Sequence, residues 1–247
     1  STWEGASCSL LFILLLPLYH IFAFTCIFLS SMYIGASITF VNSLKKNDII
    51  NAIKETNATV LFGVPILFES ICKSIMKKIE EQPTGKRLLV KLLNATNRAS
   101  IKMFKVNIGK KIFSKIHETI GKSIRLMVSG GAPISKEILI RMSSLGFPII
   151  EGYGLTETAP VISINNMETL KFGSVGKPLE GVEVKIVNAN EQGIGEIAVK
   201  GPIVMKGYYK NNDLTKRAIK DGWFYTKDLG FIDEEGYLYI KGRKDDV

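Results

Sequence analysis

With 247 residues, 46% of them hydrophobic and 22% charged, the chain can bury a large core and is too apolar to be disordered. Its formal charge of +9 rests on scattered lysines, with no arginine-rich run and no aromatic-interleaved basic stripe, which excludes a nucleic-acid footprint and leaves a mild attraction to anionic lipid open. Cys8, Cys26 and Cys72 are odd in number and set in apolar sequence, so they read as buried thiols of a reducing compartment and not as a disulfide frame. His20 and His117, the only histidines, lack partners at metal-ligand spacing, which excludes a zinc site.

No Lys, Arg, Asp or Glu occurs between Glu4 and Lys45. Within that block Ser9 to Ser31 has the length and hydropathy of a membrane span, but no basic residue precedes it as in a signal peptide. Pro17-Leu18-Tyr19-His20 interrupts it, and Ser30-Ser31 and Gly35-Ala36-Ser37 follow. These breaks favour a strand, a turn and a buried helix of an α/β core. Ser1 to Cys8 is an unnatural domain start, since it runs almost at once into a buried strand.

Asp48 to Asn57 has helical spacing, Ala58 to Val64 is a short buried strand, and Pro65 opens a helix that runs to Glu81. After the break Gln82-Pro83-Thr84-Gly85, the basic region Lys86 to Glu118 is helical. Its stripe of Leu88, Leu89, Leu92, Leu93, Ile101 and Phe104 reads as core or groove lining, and His117 falls on a helix surface. Ile124 to Ser129 is a strand, Gly130-Gly131-Ala132-Pro133 a turn, and Ser135 caps a helix closed by Gly146. Phe147-Pro148-Ile149-Ile150 is the next strand, so this part is a parallel α/β layer. From Phe172 glycines punctuate short alternating runs: Val182 to Val187, Glu196 to Lys200 and Tyr237 to Lys241 are strands, with a hairpin turn at Asp233-Glu234-Glu235-Gly236. The expected organisation is α/β over 1–170, a β-rich barrel-like subdomain over 171–242, and a short end segment, 243–247.

The segment Glu151-Gly152-Tyr153-Gly154-Leu155-Thr156-Glu157-Thr158 follows a buried strand with two glycines, an aromatic ring, hydroxyls and carboxylates. Taken alone it has two readings. It is a polar hairpin turn, or it is a nucleotide site in which hydroxyls meet phosphate and carboxylate oxygen meets Mg²⁺.

Four segments occur in order: Pro17-Leu18-Tyr19-His20, Glu151 to Thr158, Trp223-Phe224-Tyr225-Thr226-Lys227-Asp228-Leu229-Gly230, and Gly242-Arg243-Lys244-Asp245-Asp246. Together with Gly173 to Pro178 and Val204 to Tyr209, they resemble the adenylate-forming superfamily of acyl-CoA synthetases, adenylation domains and luciferases. Ser129-Gly130-Gly131-Ala132-Pro133 and the helical region before it are most similar to bacterial long-chain fatty acid–CoA ligases. The resemblance implies part of the large N-terminal domain of such an enzyme, an α/β fold. The implied chemistry joins a fatty acid to ATP as an acyl-adenylate, with Mg²⁺ as cofactor, and then passes the acyl group to CoA with release of AMP.

By the same resemblance Tyr153 stacks on adenine, Gly131 and Ala132 border the adenine and acyl pocket, and Gly154 belongs to the nucleotide-binding set. Thr156 binds phosphate, Glu157 holds Mg²⁺, Asp228 accepts from the ribose hydroxyls and Arg243 contacts ribose or phosphate. His20 acts where acyl group, thiol and adenylate meet, a role that competes with that of a hydrogen-bonded core histidine. Asp245 marks the hinge in 243–247. Lys227 departs from the glycine the family usually has beside the ribose-binding Asp. A Gly/Ser/Thr-rich loop with lysine and a lysine-bearing C-terminal domain lie outside these residues, so the chain alone is expected to keep part of the nucleotide site with little ligase activity. The implied location is cytoplasmic, with peripheral association at the inner membrane face left open. Two rival readings stand: an acyl–acyl carrier protein synthetase or other adenylating ligase, and a membrane-anchored, non-enzymatic protein on a degenerate form of the fold.

Overall fold

The computed structural model describes residues 10–104 and 106–246. The expectations for Ser1 to Cys8 and for Val247 fall outside them. The chain divides into two compact units. One takes the chain up to Ser129 with Ser135–Ile149, and the other takes Gly130–Ile134 with the chain from Ile150 onward.

In the first unit β1 (Leu11–Leu14) is apolar at every position and is followed by a turn in which His20 N–H donates to the Pro17 carbonyl at 3.0 Å. A π-helical segment, Phe22–Leu29, then leads into α1 (Ser30–Ile34), which Gly35 ends in the left-handed region at φ 69°. The serines that interrupt the apolar block bond back to their own helix: Ser30 Oγ donates to the Cys26 carbonyl and Ser31 Oγ to that of Ile27, each at 2.5 Å. The sequence of strand, turn and helix therefore breaks up the span-length apolar run. Among the described residues no helix is long and apolar enough to cross a membrane.

The unit continues with β2 (Ser37–Phe40), α2 (Lys46–Thr56), β3 (Val60–Gly63), α3 (Pro65–Glu80), α4 (Thr84–Phe104), α5 (Gly109–Ile112), α6 (Ser114–Ile120), β4 (Leu126–Ser129) and α7 (Lys136–Ser144). Its strands lie parallel in the order β2-β1-β3-β4, with Ile13 opposite both Thr39 and Leu61 and Leu61 opposite Met127. Parallel strands need helical crossovers, which explains the alternation of elements. Helix boundaries follow the expected chemistry: Pro65 begins α3, and Ser135 Oγ accepts from Ile138 N–H at 3.3 Å. The core holds Ile13, Ile27, Ile53, Leu61, Phe68, Met127 and Phe147, each fully or almost fully buried. Each such side chain contributes roughly 1.5–3 kcal/mol. Among the described residues Cys26 and Cys72 are free thiols, and burial pushes both up, Cys26 to about 11.

Two expectations fail here. His117 is not on a helix surface: it is 1% exposed, its ring stacks on Phe147 at 3.7 Å, and Nε2–H donates to the Leu145 carbonyl at 2.9 Å. Burial holds its pKa down, which favours the neutral ring, against the opposing effect of the Leu145 hydrogen bond. The stripe on α4 is not all core either, because Leu88, Leu89 and Leu92 are exposed.

The second unit is built of strands. The chain enters it on β5 (Ile149–Gly154) and continues through β6 (Val161–Ile164), β7 (Lys177–Pro178), β8 (Glu183–Val187), β9 (Gly195–Lys200), α8 (Asn212–Ala218), β10 (Ile219–Lys220), β11 (Trp223–Ile232) and β12 (Leu238–Arg243). β5, β6 and β7 run antiparallel, and a second antiparallel sheet has the order β10-β11-β9-β8 with β12 paired to β11. Ile162, Val182, Ile197, Val199 and Leu238 form their common core, with Tyr153 and Leu155 packed on it. Strands extend over the β-rich stretch expected from its glycine punctuation, while the contacts divide the chain at Ile150, upstream of the change in texture at 171.

Candidate functional site

The turn that ends β5 belongs to the second unit. A Cβ on Gly154 would stand 1.7 Å from the Pro160 carbonyl oxygen, so only glycine lets the chain fold back there. Buried Thr158 locks the return, its Oγ1 accepting from Leu155 N–H at 3.0 Å and lying 3.0 Å from the Pro160 carbonyl. The lock leaves Thr156 exposed and Glu157 half-buried. Tyr208 O–H donates to Glu157 Oε1 at 3.0 Å, and Met205 N–H donates to the Glu157 carbonyl at 2.8 Å.

Tyr153 O–H donates to Asp228 Oδ2 at 2.6 Å. Across β11 and β12, Asp228 faces Arg243 directly, and Arg243 Nε stands 3.3 Å from Oδ1. Asp228 is 6% exposed, so burial raises its pKa, while the Tyr153 hydrogen bond and the Arg243 charge work the other way. The tyrosine donor and the arginine charge both favour the ionised carboxylate. Burial, then the Asp228 charge, raises the Tyr153 phenol, which stays protonated and donating.

A break in the β9–β11 register between Tyr225 and Leu229 sets the aim of Asp228. Lys227 sits in it at φ 64°, the left-handed region natural to glycine. Its N–H donates to Glu196 Oε1 at 3.2 Å, and Asp228 N–H donates to Thr226 Oγ1 at 3.1 Å. Thr226 Oγ1 in turn donates to the Ile197 carbonyl at 2.9 Å. Two ion pairs join the end of β12 to these strands: Lys244 with Glu196 and Lys227 with Asp245, each at 3.0 Å.

Gly131, at φ 84°, and exposed Ala132 lie in the segment Gly130–Ile134 of the same unit. The Ile134 backbone hydrogen-bonds the buried Glu151 carboxyl, which burial pushes up to about 7. His20 is outside this set: it belongs to the first unit, is exposed, and has its ring 4.7 Å from that of Tyr19. The core-histidine reading of His20 therefore falls. The structure thus gathers Tyr153, Asp228 and Arg243 into one set, through a hydrogen bond and an ion pair, and joins Glu157 to Tyr208.

Sequence reasoning missed Thr226, Glu196 and Tyr208 as supports. Two of them lay inside quoted segments, and Glu196 was a lone carboxylate opening an apolar strand. Among the described residues no cluster of three His, Cys, Asp or Glu could cage a metal. A single half-buried carboxylate fits Mg²⁺, which keeps waters and is commonly shared with substrate phosphates.

Residues 3–209 match the family described as AMP-binding enzyme. A long-chain-fatty-acid–CoA ligase of Mycobacterium bovis is 30% identical over 246 residues, taking in 94% of this chain and 39% of its own length. A 2-succinylbenzoate–CoA ligase of Bacillus cytotoxicus is 40% identical over 139 residues, 53% of this chain and 28% of that protein. The O-succinylbenzoate coenzyme A synthetase of Bacillus subtilis, solved in complex with ATP and magnesium ion, superposes with a TM-score of 0.71 at 27% identity, covering 99% of this chain and 44% of that one. The chain spans less than half the length of these relatives. The family match, the relatives and the shared fold agree: the chain carries the N-terminal-domain fold of the adenylate-forming enzymes and belongs to the AMP-binding enzyme family.

Proposed function

We propose that the chain supplies the nucleotide-binding part of an ATP-dependent, AMP-forming acid–CoA ligase whose acid is a long-chain fatty acid. The observation that carries this reading is the Asp228 carboxylate, held between Tyr153 O–H and Arg243 and close in sequence to neither. A buried carboxylate held by one donor and one cation suits a ribose diol, which needs acceptors. Tyr153 offers its ring to adenine, Gly131, Ala132 and Gly154 give room for close approach, and Arg243 supplies a permanent cation. In the reaction the acid's carboxylate oxygen bonds to the α-phosphorus as the bond to pyrophosphate breaks, and a thiolate then displaces AMP from the acyl-adenylate. Thr156 would donate to phosphate oxygen, and Glu157 would hold Mg²⁺, which when bound neutralises phosphate charge. His20 is proposed to act at the acyl–thiol junction and Asp245 at the hinge.

The match to 2-succinylbenzoate–CoA ligases at 40% identity over half the chain supports a second reading, in which the acid is aromatic. The two differ in the acid that triggers pyrophosphate release from ATP by the full-length protein. Palmitate-dependent release, lowered at least tenfold by Glu157→Ala and by Asp228→Ala, is expected. Release that depends on an aryl acid alone would support the second reading, and rates unchanged by both substitutions would remove the site assignment.

A further inference from the structure

α4 carries five lysines and arginines over 84–104 and no aspartate or glutamate. Its inner face is pinned within the first unit. Asn97 is fully buried, its Nδ2 donating to the Ser144 carbonyl at 2.8 Å and its Oδ1 accepting from Ile108 N–H at 2.8 Å. The helix lies against α3, α5 and α7. That anchorage fixes which side faces out. Leu88, Leu92 and Met103 fall on one outward row at spacings of four and eleven, and they are 68%, 64% and 72% exposed, with Leu89 beside them at 53%. The exposed cations Arg87, Lys91 and Arg98 each precede a position of that row, Leu88, Leu92 and Ala99, so a basic row runs beside the apolar one.

We propose that this outer face of α4 is a docking surface for an anionic lipid bilayer, with the helix lying in the headgroup plane. The charge complementarity selects the partner. Cations without any acid on the helix call for an anionic surface, and exposed leucines at helical spacing call for one with an apolar layer beneath its charges. A soluble polyanion satisfies only the first demand, and a neutral apolar groove only the second. The helix is too charged to span, so it lies on the surface. The inference is independent of the ligase reading, since it uses none of the nucleotide-site residues.

Co-sedimentation of the chain with vesicles of phosphatidylcholine alone, or mixed 3:1 with phosphatidylglycerol, tests it. Binding is expected to the mixed vesicles only, at low salt, and to weaken strongly at about 0.5 M salt as the charges are screened. Leu88→Ser/Leu92→Ser and, separately, Arg87→Gln/Lys91→Gln should each weaken partition about tenfold with the far-ultraviolet circular dichroism unchanged, because all four side chains are exposed. Vesicle binding unaffected by either pair, or absent from the parent, overturns the proposal. So does a heparin interaction that the leucine pair leaves intact in the absence of vesicle binding. A concentration-dependent dimer abolished by the leucine pair, without vesicle binding, overturns it in favour of self-association.

Discussion

Lys227 concentrates the residue-scale physics. A lysine in the left-handed region costs roughly 1–2 kcal/mol, and the return from its ion pair with Asp245 is small because both side chains are more than half exposed. Lys227→Gly should therefore leave stability within about 1 kcal/mol of the parent, since the relieved strain offsets the extra chain entropy of glycine. Lys227→Val should lose about 1–2 kcal/mol, because β-branching resists positive φ. Urea melts with matched slopes measure both, and equal losses would show that the backbone at this position is not strained. Around it, Tyr153→Phe keeps the ring but deletes the donor to Asp228, so AMP affinity should fall severalfold, less than for Asp228→Ala. Tyr153, Glu157 and Asp228 were readable as candidates because each stands in a motif of distinctive residue types. Thr226 and Glu196 were not, since their roles arise from pairing between β9 and β11, which local sequence does not reveal. His117 misled for the same reason: nothing near it announces the Phe147 ring on which it stacks.

At the scale of elements, β5 and its turn hold two opposed demands. Gly154 permits the fold-back, and Gly154→Ala should cost about 2–4 kcal/mol, because the obstructing atom is backbone and cannot step aside. Three residues earlier on the same strand, Glu151 is buried with its carboxyl raised from about 4.5 in the unfolded chain to about 7. The folded state then binds the extra proton between those values. Stability from this group is full below about pH 4.5, falls as pH rises towards 7, and stays reduced above, by at most about 3 kcal/mol. Glu151→Gln should flatten that slope in melts taken from pH 5 to 8, and an unchanged slope would mean that another group carries it. Element order was readable from α2 to β5, from Pro65, Ser135 and the apolar runs, whereas β2, β6, α8 and the long β11 were not anticipated. The N-terminal block was harder, because hydropathy cannot distinguish a membrane span from a buried strand followed by a helix. Only the turn at Pro17 and the back-bonding serines separate them.

At the scale of the whole molecule, the sequence carried the family more completely than the substrate. Motif order survives because the nucleotide is common to the family, whereas the acid is chosen by pocket shape, which apolar composition does not encode. Relatives that name a long-chain acid and a succinylbenzoate both match this chain, as that division leads one to expect. We propose that the second unit assembles a ribose-binding carboxylate from Asp228, Tyr153 and Arg243. Titration calorimetry of AMP into this chain tests it most directly. Measurable binding is expected, and Asp228→Ala should weaken it at least tenfold, corresponding to a lost charged hydrogen bond of about 1.5–3 kcal/mol. Equal AMP affinity in a folded Asp228→Ala protein would contradict it.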